Sequence, residues 1–152
     1  MSKDEISYVL IDALGSSDQD IIKQTTEIYQ KAFADPPYCE YFSDTEAKDA
    51  LQFILDKDGD LILGSTDGKV VSLAGGYFNA PGEYFIEELA VDPSLQGQGL
   101  GRKTLRSLID RALEQGTSMF EICTSSENVQ AIKLYESEDF VREPVLKATP
   151  HF

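Results

Sequence analysis

The stretch Leu89-Ala90-Val91-Asp92-Pro93-Ser94-Leu95-Gln96-Gly97-Gln98-Gly99-Leu100-Gly101-Arg102-Lys103 joins the end of one apolar run to the start of another through glycine. Before it, EYFIEELAV (83–91) reads as a strand. After it, Leu105, Leu108, Ile109 and Leu113 form the apolar stripe of a helix over 102–114. Glycine lets a backbone take positive φ and approach a ligand closely. The first turn of a helix offers unpaired N–H groups and the positive end of the macrodipole. Strand, glycine loop and helix start therefore make a seat for a diphosphate. Arg102, Lys103 and Arg106 add positive charge on the same turns. Two familiar phosphate loops do not fit. The dinucleotide fingerprint G-x-G-x-x-G begun at Gly97 needs glycine at 102, which is arginine. A Walker loop needs Gly-Lys-Ser/Thr, whereas the order here is Gly101-Arg102-Lys103-Thr104.

Working outward, ISYVLI (6–11) predicts a first strand, and Ile21, Ile22, Thr25, Ile28, Tyr29, Ala32 and Phe33 a helix over 18–33. Asp35-Pro36-Pro37 ends it, because a residue before proline is pushed out of the helical region. Ser43 and Glu46 form a capping-box pattern ahead of a second helix. LILGST and KVVSLAGGYF, separated by Asp67-Gly68, read as a hairpin. Gly116 caps the helix after the glycine loop, MFEICT is a further strand, 128–137 a last helix and FVREPVL a last strand. The order β-α-α-β-β-β-α-β-α-β predicts an α/β fold with a mixed, mostly antiparallel sheet and helices on both faces.

Composition bounds the function. With 152 residues, 41% hydrophobic and 26% charged, the chain reads as a single domain, 1–152, with its own core. No apolar run is long enough to span a membrane and the N-terminus has no export signal, which points to the cytoplasm. Cys39 and Cys123 match no metal spacing and read as free thiols, and His151 as a tail residue, so no metal is expected. The 27 acidic and 13 basic residues give a net charge of -14, which argues against nucleic-acid binding. That balance is compatible with a cationic partner and equally with simple solubility.

Leu89-Ala90-Val91-Asp92-Pro93 followed by Gln96-x-x-Gly99-x-Gly101 resembles the acetyl-CoA motif of the GNAT superfamily of N-acetyltransferases, Arg/Gln-x-x-Gly-x-Gly/Ala. The resemblance continues through Asn128, Ala131, Leu134-Tyr135-Glu136 and Phe140. It implies a V-shaped splay beside the strand that precedes the loop, with the pantetheine arm of acetyl-CoA in the opening, bonded to backbone at Leu89, Ala90 and Val91. It also implies that loop amides from Gly97, Gln98, Gly99, Leu100, Gly101 and Arg102 hold the pyrophosphate, and that Gln96, which opens the motif, belongs to the cofactor site. Asn128 either caps the last helix, bonds the pantetheine, or does both. Tyr135 is either a core aromatic or, by resemblance, the acid facing the acetyl-CoA sulfur. A phenol with a pKa near 10 stays protonated at neutral pH and can donate to a departing thiolate.

The acceptor amine must lose a proton to attack, so a base helps. Glu87 and Glu88 lie on the strand beside the thioester, and alternation puts them on opposite faces; we take Glu87 as the base, noting that a bulge would exchange the two. The family usually ends with two strands, and only twelve residues follow Phe140 here, so the acceptor side is either open or completed by a second subunit in a homodimer. The loop Pro36-Pro37-Tyr38-Cys39-Glu40-Tyr41-Phe42 either lines an amine pocket or packs between helices. Two functions remain: direct acetyl transfer to a primary amine of a small molecule or peptide in a ternary complex, or a non-catalytic acyl-CoA sensor. An acid at Tyr135 favours the first.

Overall fold

The computed structural model describes residues 5–11, 13–14, 18–124 and 128–143. Its elements are β1 (Ser7–Ile11), α1 (Gln19–Ala34), α2 (Asp44–Asp56), β2 (Asp60–Thr66), β3 (Lys69–Ala80), β4 (Glu83–Val91), a 3-10 turn at Pro93–Leu95, α3 (Leu100–Glu114), β5 (Met119–Ile122) and α4 (Val129–Ser137). Local chemistry explains the boundaries. Asp18 caps α1 and the reciprocal Ser43–Glu46 box opens α2. Asp67 and Gly68, both at positive φ, turn β2 into β3. Gly116, at φ 89°, takes the left-handed position after α3.

The sheet has five strands in the order β1-β2-β3-β4-β5. The first three pairings are antiparallel and the last, β4 with β5, is parallel. Strand alternation sorts side chains onto two faces. Leu61, Leu63, Leu73 and Ala90 pack with Ile28, Tyr29 and Leu51 of α1 and α2. Ile62, Ala74 and Ile86 pack with Leu105, Leu108 and Ile109 of α3 on the opposite face, joined by Leu134 and Tyr135 of α4. Helices therefore cover both faces, as the element order predicts.

Two features of β4 position the site. Its parallel pairing with β5 runs only from Glu83↔Met119 to Ile86↔Ile122, so 87–91 leave their outer edge open: this is the splay. On the other edge Gly75 pairs with Glu88 and Gly76 with Ile86, which leaves Glu87 as the extra residue of a bulge. Glycine is required at 76, where a side chain would meet backbone, whereas one at 75 would need the end of Ile54 to move. A Cβ on Gly75 would lie 2.6 Å from Ile54 Cδ1, and one on Gly76 2.6 Å from the Phe85 carbonyl.

One sequence expectation is corrected. Residues 140–143 of the predicted last strand form no strand, and 144–146 lie outside the described residues. Phe140 turns back onto α4, its N–H donating to the Tyr135 carbonyl at 3.1 Å and its ring 6.1 Å from that of Tyr135. Val141 is left 85% exposed. Alternating apolar residues mark a strand only where a neighbour accepts the ladder, and 140–143 have none.

Candidate functional site

A cavity of about 560 Å³ opens between β4, the glycine loop, the start of α3, α4 and the loop after α1. Asp92, buried at the end of β4, shapes its approach: one carboxylate oxygen accepts from the Ser94 N–H at 3.0 Å and the Ser94 hydroxyl at 2.9 Å. The chain then enters Gly97 and Gly99 at φ 83° and 80°, and a Cβ at either would meet nothing within 4 Å. Gly99 is the N-cap of α3 and no side chain caps that helix. The first-turn amides of Leu100, Gly101 and Arg102 are thus left for another acceptor. At Gly101 an added Cβ would make ordinary contacts, 3.5 Å from Leu134 and 3.8 Å from Val91, so alanine fits there as the family motif allows. A bared helix terminus beside open space suits the diphosphate of acetyl-CoA.

The cavity gathers nearly all the residues expected to hold that ligand: Leu89, Ala90 and Val91 along the open edge of β4, Gln96, Gly97, Gly99, Leu100, Gly101 and Arg102 in the loop, and Asn128 at the head of α4. Gln98 is exposed and lies outside the lining. Asn128 does cap α4, its Oδ1 accepting from the Ala131 N–H at 3.2 Å, while its Nδ2 donates to the Tyr38 hydroxyl at 2.7 Å. Tyr135 also lines the cavity. Its phenol is held above the ordinary range by burial first, then by Tyr38 and Glu88.

The basic cluster behaves differently from its sequence reading. Arg102 donates to Ser137 Oγ at 2.8 Å, and Arg106 pairs with Glu138 and, at 4.0 Å, with Asp110. These arginines pin α3 to the end of α4. Lys103 and Lys133 are the lysines that line the cavity. Lys133 escaped the sequence reading because it belongs to a different element from the glycine loop.

Glu87 and Glu88 are both half-buried, and each accepts from a tyrosine. Tyr77 of β3 donates to Glu87 Oε1 at 2.9 Å, and Tyr29 of α1 donates to Glu88 Oε2 at 2.9 Å. Burial pushes the Glu88 carboxyl up to about 8; Glu87 and Glu40 push the same way and the Tyr29 hydrogen bond opposes them. Tyr29 and Tyr77 are the phenols that sequence reasoning did not pair with these carboxylates. Tyr29 reads as a core aromatic, which it also is at 4% exposure, and its carboxylate partner is 59 residues away. The Pro36–Phe42 loop both lines the cavity and packs against α1. Pro36, Pro37 and Tyr38 line the cavity, while Phe42 packs on Tyr29 and Phe33 at ring distances of 5.2 and 6.2 Å.

Comparison with known proteins agrees with this geometry. Residues 22–140 match the model of the acetyltransferase (GNAT) family. The chain is 28% identical over 99 residues to the L-2,4-diaminobutyric acid acetyltransferase of Nocardia farcinica, a match spanning 64% of this chain and only 51% of that relative. It is 31% identical over 113 residues to the ribosomal protein bS18-alanine N-acetyltransferase of Escherichia coli K12, covering 74% of this chain and 70% of that one. The crystal structure of the Escherichia coli S18-alanine enzyme superposes with a TM-score of 0.70 at 24% identity, over 91% of this chain and 80% of that chain. The aminoglycoside acetyltransferase AAC(6')-Iy, solved with a CoA bisubstrate analogue, superposes at 0.74 and 15% identity, over 98% of this chain and 100% of that chain. With its glycine loop, its splayed strand and a family match over most of its length, the chain belongs to the GNAT family of acetyltransferases.

Proposed function

We propose that the protein transfers the acetyl group of acetyl-CoA to a cationic primary amine by direct attack in a ternary complex. The observation that carries this reading is the convergence on one cleft of an uncapped helix terminus, an open strand edge and Tyr135. The amides of Leu100, Gly101 and Arg102 would take the diphosphate, with Lys103 and Lys133 supplying charge, and β4 backbone at Leu89–Val91 the pantetheine. The amine nitrogen forms a bond to the thioester carbonyl carbon, the C–S bond breaks, and Tyr135 gives its proton to the departing sulfur. Backbone N–H near Leu89 or Ala90 would stabilise the oxyanion.

For the base, the bulge moves our choice from Glu87 to Glu88. Glu88 acts electrostatically on Tyr38 and Tyr135, both of which line the cavity. A carboxyl titrating near 8 is also better matched to taking a proton at neutral pH than one in the ordinary range. A cationic acceptor is supported by Glu40, Glu87 and Glu88, which make no ion pair with any described Lys or Arg. The free thiols Cys39 and Cys123 suit a reducing compartment, the cytoplasm.

The test is release of free thiol from acetyl-CoA with a panel of polyamines, aminoglycosides, amino acids and N-terminal peptides. Tyr135→Phe keeps the ring and removes the acid, so kcat should fall by about 10²-fold or more with acetyl-CoA affinity little changed. Absence of thiol release with every acceptor in the panel would favour a sensor over an enzyme; unaltered turnover in the Phe variant would return Tyr135 to the core.

A further inference from the structure

Tyr29 stands apart from the other buried aromatics around α1. Its ring packs on Phe33 and Phe42, with centroids 4.8 and 5.2 Å away, as a phenylalanine would. Its hydroxyl leaves that apolar cluster and bridges from α1 to the bulged strand β4, meeting Glu88 Oε2 at 2.9 Å. Among the described residues it is the one side chain that donates to Glu88. Among the described residues, the other titratable groups that bear on this carboxyl are anionic or phenolic: Glu87 beside it on β4, Glu40 in the loop after α1, Tyr38 in the same loop and Tyr135 on α4. No described cation pairs with it.

We propose that Tyr29 is a positioning residue for the acceptor's base: its hydroxyl, fixed by the packed ring, orients the Glu88 carboxylate and sustains it in the charged form that accepts the amine proton. This rests on the reading of Glu88 as the base. A hydrogen bond donated to the charged form of an acid favours that form. In a cluster of like charges where no described cation pairs with it, the phenol is what keeps Glu88 usable near neutral pH. Its own proton stays in place, because burial and then Glu88 hold the Tyr29 phenol well above its ordinary range. The phenol therefore orients and stabilises the base without taking part in proton transfer.

The experiment is the pH profile of kcat/KM for Tyr29→Phe, Glu88→Gln and the double variant, with the best amine from the panel. The acceptor's own ionisation, near 10 for a lysine-like amine, is common to all four proteins and serves as the internal reference. Tyr29→Phe should move the acidic limb upward by about one pH unit, with about a tenfold loss below the limb that is recovered above it. Acetyl-CoA should stabilise wild type and variant equally against heat. In Glu88→Gln the limb should vanish, and adding Tyr29→Phe should then change nothing. A limb that persists in Glu88→Gln overturns the base assignment and this proposal with it. A limb abolished by Glu88→Gln but unmoved by Tyr29→Phe overturns the Tyr29 role alone, as does a loss equal at all pH values, which a merely structural tyrosine would give.

Discussion

Glu87 and Glu88 are adjacent and chemically identical, yet the fold hands each a different phenol, Tyr77 to one and Tyr29 to the other. The difference arises from one unpaired residue in the β3–β4 ladder, between Gly75 and Gly76. Its consequence reaches stability. The unfolded chain releases the Glu88 proton in the ordinary carboxylate range, whereas the folded protein holds it until about 8. Between those values the unfolded state binds fewer protons, so the contribution of Glu88 to stability is full below the unfolded value and is lost as pH rises through the folded one. Glu88→Gln removes this dependence. Its melting temperature should exceed that of wild type by a few degrees at pH 9, and the gap should close as pH falls toward 4. A gap that is constant with pH, or one that widens toward acid, would mean that Glu88 titrates normally. At this scale the sequence was only partly legible. Two carboxylates on the right strand could be read from alternation, but a bulge depends on what a glycine opposite can accommodate, and that is a property of two strands together.

At the scale of elements most boundaries were legible, because capping residues and turn glycines act locally: Ser43 with Glu46, Asp67-Gly68 and Gly116 each do what their chemistry implies. The strand expected from Phe140 onward was not, since pairing needs a partner that no local pattern records. α3 shows how an element can carry function through one end. Its far end is tied down by Asp60, which accepts from Tyr84 at 2.9 Å and Gln115 at 3.1 Å and pairs with Arg111. Its near half is anchored to β3, where the Thr104 hydroxyl meets that of Ser72 at 2.8 Å. The N-terminus, by contrast, has no side-chain cap. Gly99→Asp would put a carboxylate on those bare amides. The surrounding space is open, so the side chain meets no clash, and positive φ costs about 1 kcal/mol. The variant should fold, and the rise in melting temperature given by acetyl-CoA or free CoA should disappear. Full ligand stabilisation of a folded Gly99→Asp protein would mean that the diphosphate sits elsewhere.

Across the whole molecule the net charge of -14 would act in opposite senses on acetyl-CoA and on the proposed cationic acceptor. A negative surface concentrates cations and speeds their encounter, and slows the approach of anions. The donor is an anion and must enter against that field. Arg102 and Arg106 give it little help, since both are engaged with Ser137 and Glu138 at the end of α4. Lys103 and Lys133, at the cavity wall, remain to offset the field locally, over a distance short enough to escape most screening. The side proposed for the acceptor has the reverse arrangement, with Glu40, Glu87 and Glu88 unpaired by any described cation. Salt should separate the two. Raising ionic strength from about 0.01 M to about 0.15 M shortens the screening length from about 30 Å to about 8 Å, which removes long-range steering and leaves contact charges in place. For a cationic acceptor kcat/KM should therefore drop several-fold over that range, while acetyl-CoA affinity changes less. Replacing Lys103 and Lys133 together with Gln should weaken acetyl-CoA binding and leave the salt response of the acceptor intact. A best acceptor that is neutral or acidic, or a kcat/KM indifferent to salt, would remove the steering argument and leave the acidity of the surface as a matter of solubility.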